Sequence, residues 1–516
     1  MTAEAAPVVA APIPDRLDLL TRLSDRLNPI LVREVQQAVK GRVFVLTVLG
    51  ALFVNVIIAL VVASNYKGGA TGGRGAFDAG LATLAPLLLF IVPMQAYQSM
   101  QSELRGGMIE QLLMSELRPL RIVAGKLGAA MVQFVLYLSV LSPLLATSYL
   151  LRGVDLPTIA VCLSCALVFC VAATSFAIAA ALQGMLPAMR PIAWLGMAFG
   201  LGSASLGMVG YIGSGQCLRD VGWLLRSSEF GMVTSAVLCG AIAGTALMAL
   251  VAQAYLAHTF ENRSTGFRVF LLLAPPLSFA WVYTFVQASH RDDVVPVATF
   301  LLSLLGIVFG IFMVSEQQKL SPRVRAHVPR NAALAACSSI FLPGRDRGMA
   351  CWIAYFVLLA GLALVLWPAT GRGFLNMPQS FARVSTLTLA YAAIYLTLGK
   401  WLRGRLPETV VFNHGARFLM PLLVVVGCLL PLLFDVLVIG GVDNWHFGHL
   451  LNPFWTIDRA VRDSGAAIRG LVWTLGGGCL LVQLPAMVRG LLEVTAAAAA
   501  RRAQAATVAP ASAVEG

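Results

Sequence analysis

Charged residues are scarce in this chain of 516 residues. Asp, Glu, Lys and Arg together make up 12% of it, whereas soluble globular domains carry about 25%. Hydrophobic residues make up 58% of the chain. The shortage of charge excludes an ordinary soluble domain and indicates a protein embedded in a membrane.

The sequence also lacks the marks of an enzyme or of a self-powered pump. It contains no GxxxxGK[ST] phosphate-binding loop. Its longest predicted soluble loop, 316–348, has 33 residues, and compact domains usually need about 50 or more. The long apolar runs hold almost no ionisable side chains, whereas ion-driven transporters keep such groups deep within the membrane. We therefore expect no catalytic residues, no cofactor and no ion-driven transport.

Cysteine and histidine offer little further chemistry. Three of the nine cysteines fall in one apolar run, 156–182, where cysteine packs as a small hydrophobic residue. Cys217 is the one cysteine in a predicted outer loop, so no extracellular disulfide within the chain is expected. His446 and His449 form an HxxH pair, but no third ligand stands at the spacing of a zinc site. No metal site is predicted.

Long apolar runs dominate what is present. Runs of about 20 residues can cross a bilayer core of about 30 Å. The chain has twelve such runs, near 43–64, 78–98, 127–151, 156–182, 191–214, 231–257, 268–288, 294–315, 349–368, 384–402, 418–440 and 467–492. Prolines interrupt the runs at 268–288 and 418–440. The predicted fold class is an all-α polytopic membrane protein with about 12 transmembrane helices.

The distribution of basic residues predicts the orientation. With both termini in the cytoplasm, the inner segments hold 26 of the 37 Lys and Arg residues and the outer segments hold 11, as the positive-inside rule requires. This bias explains the net charge of +13, so we expect no nucleic-acid partner. Arg greatly outnumbers Lys and Ala is abundant, which is typical of a GC-rich bacterial genome and favours the bacterial plasma (inner) membrane.

The sequence predicts that the chain is divided into five segments. Residues 1–14 are Ala/Pro-rich and are expected to be disordered, as is a cytoplasmic tail at 493–516. Residues 15–42 read as a cytoplasmic interfacial amphipathic helix, in which Asn28 and Pro29 form an N-cap and first-turn proline. Two halves of six spans each, 43–258 and 259–492, complete the prediction.

One inner loop is unusually rich in charge. The stretch MQSELRGGMIEQLLMSELRPLRIVAGK, residues 100–126, carries seven charged residues between two apolar spans. Gly106-Gly107 is predicted to break the helix that leaves the second span, and Pro119 suits the first turn of the next helix. The pattern predicts a short amphipathic elbow on the cytoplasmic surface, shaped to receive a soluble partner. An ordinary solvated loop is the alternative.

The elbow resembles a segment of the ABC-2-type transporter permeases. That family carries a pattern like E-R-x-x-G-T-L-E-L-L-L-x-[ST]-P-L-[ST]-x-x-x-I-x-x-G-K. The chain matches it at Glu103, Gly107, Glu110, Leu112, Leu113, Ser115, Leu117, Ile122, Gly125 and Lys126, with Ile109 a near match. It departs at Leu104, Met108, Glu116 and Arg118, and Arg105 stands one position later than the usual Arg. The likeness covers residues 28–151.

The resemblance implies a function and a set of partners. It implies a permease subunit, in family tendency an exporter, that is driven by a separate ATP-binding cassette ATPase. The residues implied to form the partner-coupling loop are Glu103, Arg105, Gly107, Glu110, Gly125 and Lys126. As exposed side chains, the two glutamates would contribute little to folding. Uncharged spans suit a lipid-like or amphiphilic substrate, and membrane lipids are further expected partners.

Two alternatives stay open at this point. The second half repeats a Ser-Glu pair, Ser315-Glu316, at the start of its corresponding loop. One chain could therefore supply both halves of a transport pathway, or a chain of unequal halves could still form a homodimer. A non-transporting membrane scaffold that docks a cytoplasmic partner is the alternative to transport.

The orientation is testable by labelling in intact cells. Single cysteines at Gly69, Ser228 and Gly448, in a cysteine-free background, should react with a membrane-impermeant thiol reagent added outside. Cysteines at Gly106 and Ser321 should react only after the membrane is opened. External labelling at Ser321 would contradict the predicted topology.

Overall fold

The structure is a computed structural model in which helices account for nearly all of the described residues. It describes residues 29–64, 70–108, 111, 119–182, 190–257, 262–289, 294–316, 318, 320–367, 379–405, 415–439, 447–461 and 466–508. No β-strand occurs within these ranges. The described chain forms two compact units, one reaching to Leu182 and then from Arg190 to Leu256, the other from Ala257 onward.

The first unit contains a short amphipathic helix followed by six long helices and one further short helix. Its α-helices are α1 Pro29–Lys40, α2 Arg42–Ser64, α3 Ala70–Pro86, α4 Val92–Arg105, α5 Pro119–Leu150, α6 Leu156–Ala181, α7 Arg190–Gly213, α8 Gln216–Arg226 and α9 Phe230–Leu256. A π-helical turn, Leu87–Ile91, joins α3 to α4, so that these two helices form one continuous apolar element, Gly73–Arg105.

The second unit again contains six long helices. Its α-helices are α10 Thr265–Ser289, α11 Val294–Val314, α12 Pro322–His327, α13 Ala332–Ser338, α14 Arg345–Leu366, α15 Gln379–Arg405, α16 Gly415–Phe434, α17 Pro453–Val461 and α18 Ala466–Val508. Two 3₁₀ turns, Ser339–Phe341 and Phe447–Leu451, and a π-helical turn, Asp435–Ile439, complete it.

Ten helices among the described residues are long and apolar enough to cross a membrane. The chain is therefore a multi-pass membrane protein, as its composition predicts. The ten coincide with all the predicted spans except 384–402 and 418–440, which correspond to α15 and α16. The prolines do not break the run at 268–288, because Pro275 and Pro276 both lie inside α10.

The two units share one pattern of helix packing. In the first unit, α2 packs on α3 and α5, the α3–α4 element on α5, α6 and α7, and α9 on α5 and α6. In the second unit, α10 packs on α11 and α14, α11 on α14, α15 and α16, and α18 on α14 and α15. The short helices α8 and α17 each contact the fourth, fifth and sixth long helices of their own unit. The packing is that of an internal repeat.

The last helix is longer than the sequence predicts. Residues 493–508, expected to belong to a disordered tail, continue α18 as regular helix to Val508. The reason is packing: Val494 and Ala498 are fully buried against Val324 and Val328 of the α12 region. A polar, Ala-rich stretch thus becomes ordered because α12 and α13 cover one of its faces.

Close helix packing in the second unit depends on two glycines of α11. A Cβ atom at Gly306 would lie 2.4 Å from Tyr355 Cε1, and one at Gly310 would lie 2.6 Å from Trp352 Cδ1. The close approach lets Trp352 Nε1 donate to the Gly306 carbonyl (3.1 Å). Small residues that bring helix backbones together are typical of packing within membranes.

Alanine at Gly306 should therefore destabilise the protein by about 1–3 kcal/mol, because the added methyl group must displace a buried aromatic ring. Gly361→Ala is the matched control, since a Cβ there meets no atom within 4 Å and alanine favours helix. Thermal unfolding of the detergent-solubilised protein should show a clear drop for Gly306→Ala only. Equal unfolding temperatures for the two variants would contradict this account of the packing.

Candidate partner-coupling site

The structure places the predicted coupling residues at two helix ends and the turn beside them. Glu103 and Arg105 lie in the last turn of α4, and Gly107 follows two residues after its end. Gly125 and Lys126 are buried in the first third of α5. Glu110 lies outside the described residues.

A buried lysine joins the two ends of this segment. Lys126 is 2% exposed, and its Nζ lies 3.1 Å from Glu103 Oε2. The same Nζ donates to Glu34 Oε1 at 2.7 Å and to Ser99 Oγ at 2.7 Å. The first and last matched residues of the resemblance are thus a direct ion pair.

Helix α1 contributes the other half of this cluster. Glu34 is 7% exposed, and besides Lys126 it accepts a hydrogen bond from Ser99 Oγ at 3.0 Å. The neighbouring Arg33 binds the Glu103 carboxylate and reaches Met108 Sδ at 3.2 Å. The cluster of Arg33, Glu34, Ser99, Glu103 and Lys126, here called the Lys126 cluster, therefore ties α1, α4 and α5 together.

The charges of the Lys126 cluster compensate one another. Burial pushes the pKa of the Glu34 carboxyl up, but the Lys126 ammonium and the hydrogen bonds from Lys126 and Ser99 outweigh it, so this pKa lies below its usual value of 4.5. Glu34 is therefore ionised at neutral pH. The cluster pairs two acidic with two basic side chains, and such pairing is the condition under which buried ionisable groups are tolerated.

Sequence reasoning missed part of this site. Glu34 and Arg33 were not predicted to take part, although a Glu on the apolar side of an amphipathic helix, beside Ile30, was a usable signal. Glu103 was expected to be exposed, and that is wrong: it is 7% exposed because α1 covers it. Arg105 is exposed, as a contact residue would be.

Gly107 is required by the turn that leaves α4. Gly106 caps the helix, its N–H donating to the Ser102 carbonyl at 3.0 Å. Gly107 then has φ of 67°, a left-handed conformation that glycine adopts without steric cost. The predicted Gly-Gly break is therefore present, and it ends α4 directly after Arg105.

The second unit has an acidic residue at the corresponding place, with different partners. Glu316 follows α11, and its Oε2 lies 2.5 Å from an Nη of the fully buried Arg268. It also accepts from the Ser264 hydroxyl at 2.7 Å and from the Gly344 N–H at 2.9 Å. The Ser-Glu pair noticed in the sequence thus marks a buried ionic contact in both units.

Buried arginines hold the chain after Glu316 closely. Arg268 Nη1 donates to the carbonyls of Ile340 and Leu342 at 2.9 and 2.7 Å. Arg347 binds Glu493 Oε2 at 3.0 Å and so links the start of α14 to α18. The described part of this loop is consequently fixed to the second unit's own helices.

The histidine of the HxxH pair that the structure describes has an internal partner. His449 is fully buried, its Nε2 lies 2.6 Å from Asp435 Oδ2, and its ring contacts that of Trp455 at a tilt of 43°. His446 lies outside the described residues. His449 thus packs as part of the turn that precedes α17.

Comparison with protein-family models, with curated proteins and with solved structures found no match to this chain. The likeness to ABC-2-type permeases therefore rests on the matched residues alone.

The Lys126 cluster makes a prediction about stability. Lys126→Met should lower the free energy of unfolding by about 3–5 kcal/mol, because it removes the buried cation shared by Glu34 and Glu103 and leaves them only Arg33, whose side chain is 33% exposed. Arg105→Met is the matched control: it removes an exposed charge of the same segment and should change stability by about 0.5 kcal/mol or less. Thermal unfolding in detergent at pH 7 measures both. Similar losses in the two variants would show that the cluster does not hold the helices together.

Proposed function

We propose that the chain is the membrane-spanning permease subunit of an ATP-binding cassette transporter of the ABC-2 type. A separate ATPase subunit would bind the segment between α4 and α5 and drive the helices. The cargo would be lipid-like or amphiphilic and would be exported. The chain itself would hydrolyse no ATP.

The observation that carries this proposal is the pairing of Glu103 with Lys126. These residues open and close the stretch that resembles the permease family, and their side chains meet at 3.1 Å. A partner that binds the residues between them therefore acts on a segment whose two ends are held together by this ion pair. A displacement of that element has to move α4 and α5 as one body.

Helix α1 extends the same argument. Arg33 contacts both Glu103 and Met108, so the amphipathic helix touches the segment on either side of its glycine turn. If the coupling segment is displaced, an interfacial helix placed in this way would transmit the displacement along the membrane surface as well as to the helix bundle.

The proposal includes the number of membrane spans, the orientation of the chain and the membrane in which it lies. Twelve spans are favoured because α15 and α16 pack in the second unit as α6 and α7 do in the first, and α6 and α7 are both among the ten apolar helices. With both termini in the cytoplasm of a bacterial inner membrane, the coupling segment faces the cytoplasm. Two similar units favour one chain supplying both halves, and a homodimer is the alternative.

Coupling is testable by co-expression with a candidate ATPase, encoded by a neighbouring gene. Arg105→Ala and Glu110→Ala should insert normally yet reduce co-purification of the ATPase and the stimulation of its activity by tenfold or more, since a lost charged contact at an interface costs about 2–5 kcal/mol. Arg226→Ala, an exposed arginine at the end of α8, is the matched control and should behave as wild type.

The outcomes separate the alternatives. Full co-purification without any stimulation of ATP hydrolysis by the wild-type chain would favour a scaffold. Normal coupling in both variants would place the ATPase elsewhere and contradict the proposal. ATP hydrolysis by the chain purified alone would contradict its assignment as a subunit without ATPase activity.

A further inference from the structure

A cavity of about 380 Å³ with a mixed polar and apolar lining lies in the first unit, next to the Lys126 cluster. It is an open cavity bounded by α1, the start of α2, α4 and α5, at the point where Gly41 joins the amphipathic helix to the first long apolar helix. This volume falls in the range of pockets that hold small organic groups. Its polar lining consists mainly of amides and hydroxyls, namely Gln37, Gln95, Gln98, Gln133, Ser99 and Ser102.

The charged groups at the cavity wall are already engaged. An ammonium group has three N–H donors, and those of Lys126 face Glu34, Ser99 and Glu103. The Glu34 carboxylate in turn accepts from Lys126, Ser99 and Arg33. The wall therefore offers neither a free cation for a phosphate nor a free carboxylate for an amine.

One amide at the cavity wall, that of Gln95, has bonding capacity left. Gln133, 6% exposed, donates to Gln95 Oε1 at 3.2 Å. The Nε2 of Gln95 is buried and finds no acceptor among the described residues. A buried amide nitrogen without an acceptor is costly and rare in folded proteins, so this group is poised to bind an oxygen within the cavity.

The lining selects an uncharged group rich in hydroxyls. Carboxamides donate and accept hydrogen bonds at once, and so do hydroxyls, whereas phosphates and ammonium groups each need the opposite charge. A sugar or another polyhydroxyl group matches the four glutamines and two serines of this wall, and its apolar faces match the alanine and valine side chains between them.

The surroundings of the cavity indicate that this group belongs to a lipid. Val43 lines the cavity and is 53% exposed, and only 11% of the apolar window of α2 is buried within the chain. The rest of α2 therefore faces the hydrocarbon. An amphipathic helix such as α1 lies at the level of the headgroups, so the cavity opens where a headgroup meets its acyl chains.

We propose that this cavity binds the uncharged, hydroxyl-bearing headgroup of a membrane glycolipid, with the acyl chains lying along α2. The inference does not depend on coupling to an ATPase, because it concerns only what the first unit holds at the membrane surface.

The test uses the full chain in phosphatidylcholine nanodiscs and native mass spectrometry. Monoglucosyl diacylglycerol should bind saturably, and phosphatidic acid with the same acyl chains should not. Gln95→Leu and Gln133→Leu should each weaken glycolipid binding about tenfold, since each removes a buried hydrogen-bonding amide. Gln36→Leu is the matched control: it is exposed on α1 but outside the cavity wall, and should bind as wild type.

A second measurement on the wild-type chain does not depend on the variants folding. A photoreactive glucosyl diacylglycerol should crosslink to residues 34–44 or 92–102. Crosslinks confined to other helices, equal binding of phosphatidic acid, or unchanged affinity in both folded glutamine variants would each overturn the proposal. Displacement by free glucose at the concentration of the glycolipid would identify a soluble sugar and overturn the assignment to a lipid.

Discussion

A buried ammonium group between two carboxylates is the interaction on which the first unit depends. Lys126 lies where three helices meet, and a lone charge there would cost far more than the few kcal/mol by which domains are stable. Glu34 and Glu103 remove that cost together, and each comes from a different helix. The position of α1 against the bundle is therefore fixed by charge balance as well as by its apolar face. Leu31 of α1 packs over Gly128, where a Cβ would lie 2.9 Å from its Cδ1.

The two units reach the same arrangement of helices with different ionic contacts. In the first unit, Glu103 at the end of the second long helix forms an ion pair with Lys126 of the third long helix. In the second unit, Glu316 forms an ion pair with Arg268 of the first long helix. The described part of the loop of the second unit is bound to that unit's own helices by arginines.

Most of the helical architecture could be predicted from the sequence, because apolar length alone determines which segments can span a bilayer. The start of α1 at Pro29 and the break at Gly106-Gly107 were predictable as well, since both follow from local backbone preferences. The burial of Glu103 was not predictable. It depends on contacts with residues 70 positions earlier and 23 positions later in the chain, and no local pattern encodes them. The helical structure of residues 493–508 was not predictable either, because it depends on contacts with α12 and α13.

The length of α18 has a geometric consequence. Its 43 residues extend about 65 Å at 1.5 Å per residue, more than twice the hydrocarbon thickness of about 30 Å. Even at a tilt of about 40°, the upper end of the usual range, it would still rise about 50 Å. A substantial part of the helix must therefore stand clear of the bilayer. The contacts of the buried residues Val494 and Ala498 place α12 and α13 on this protruding part. The C-terminal part of α18 therefore supports the two short helices outside the hydrocarbon layer.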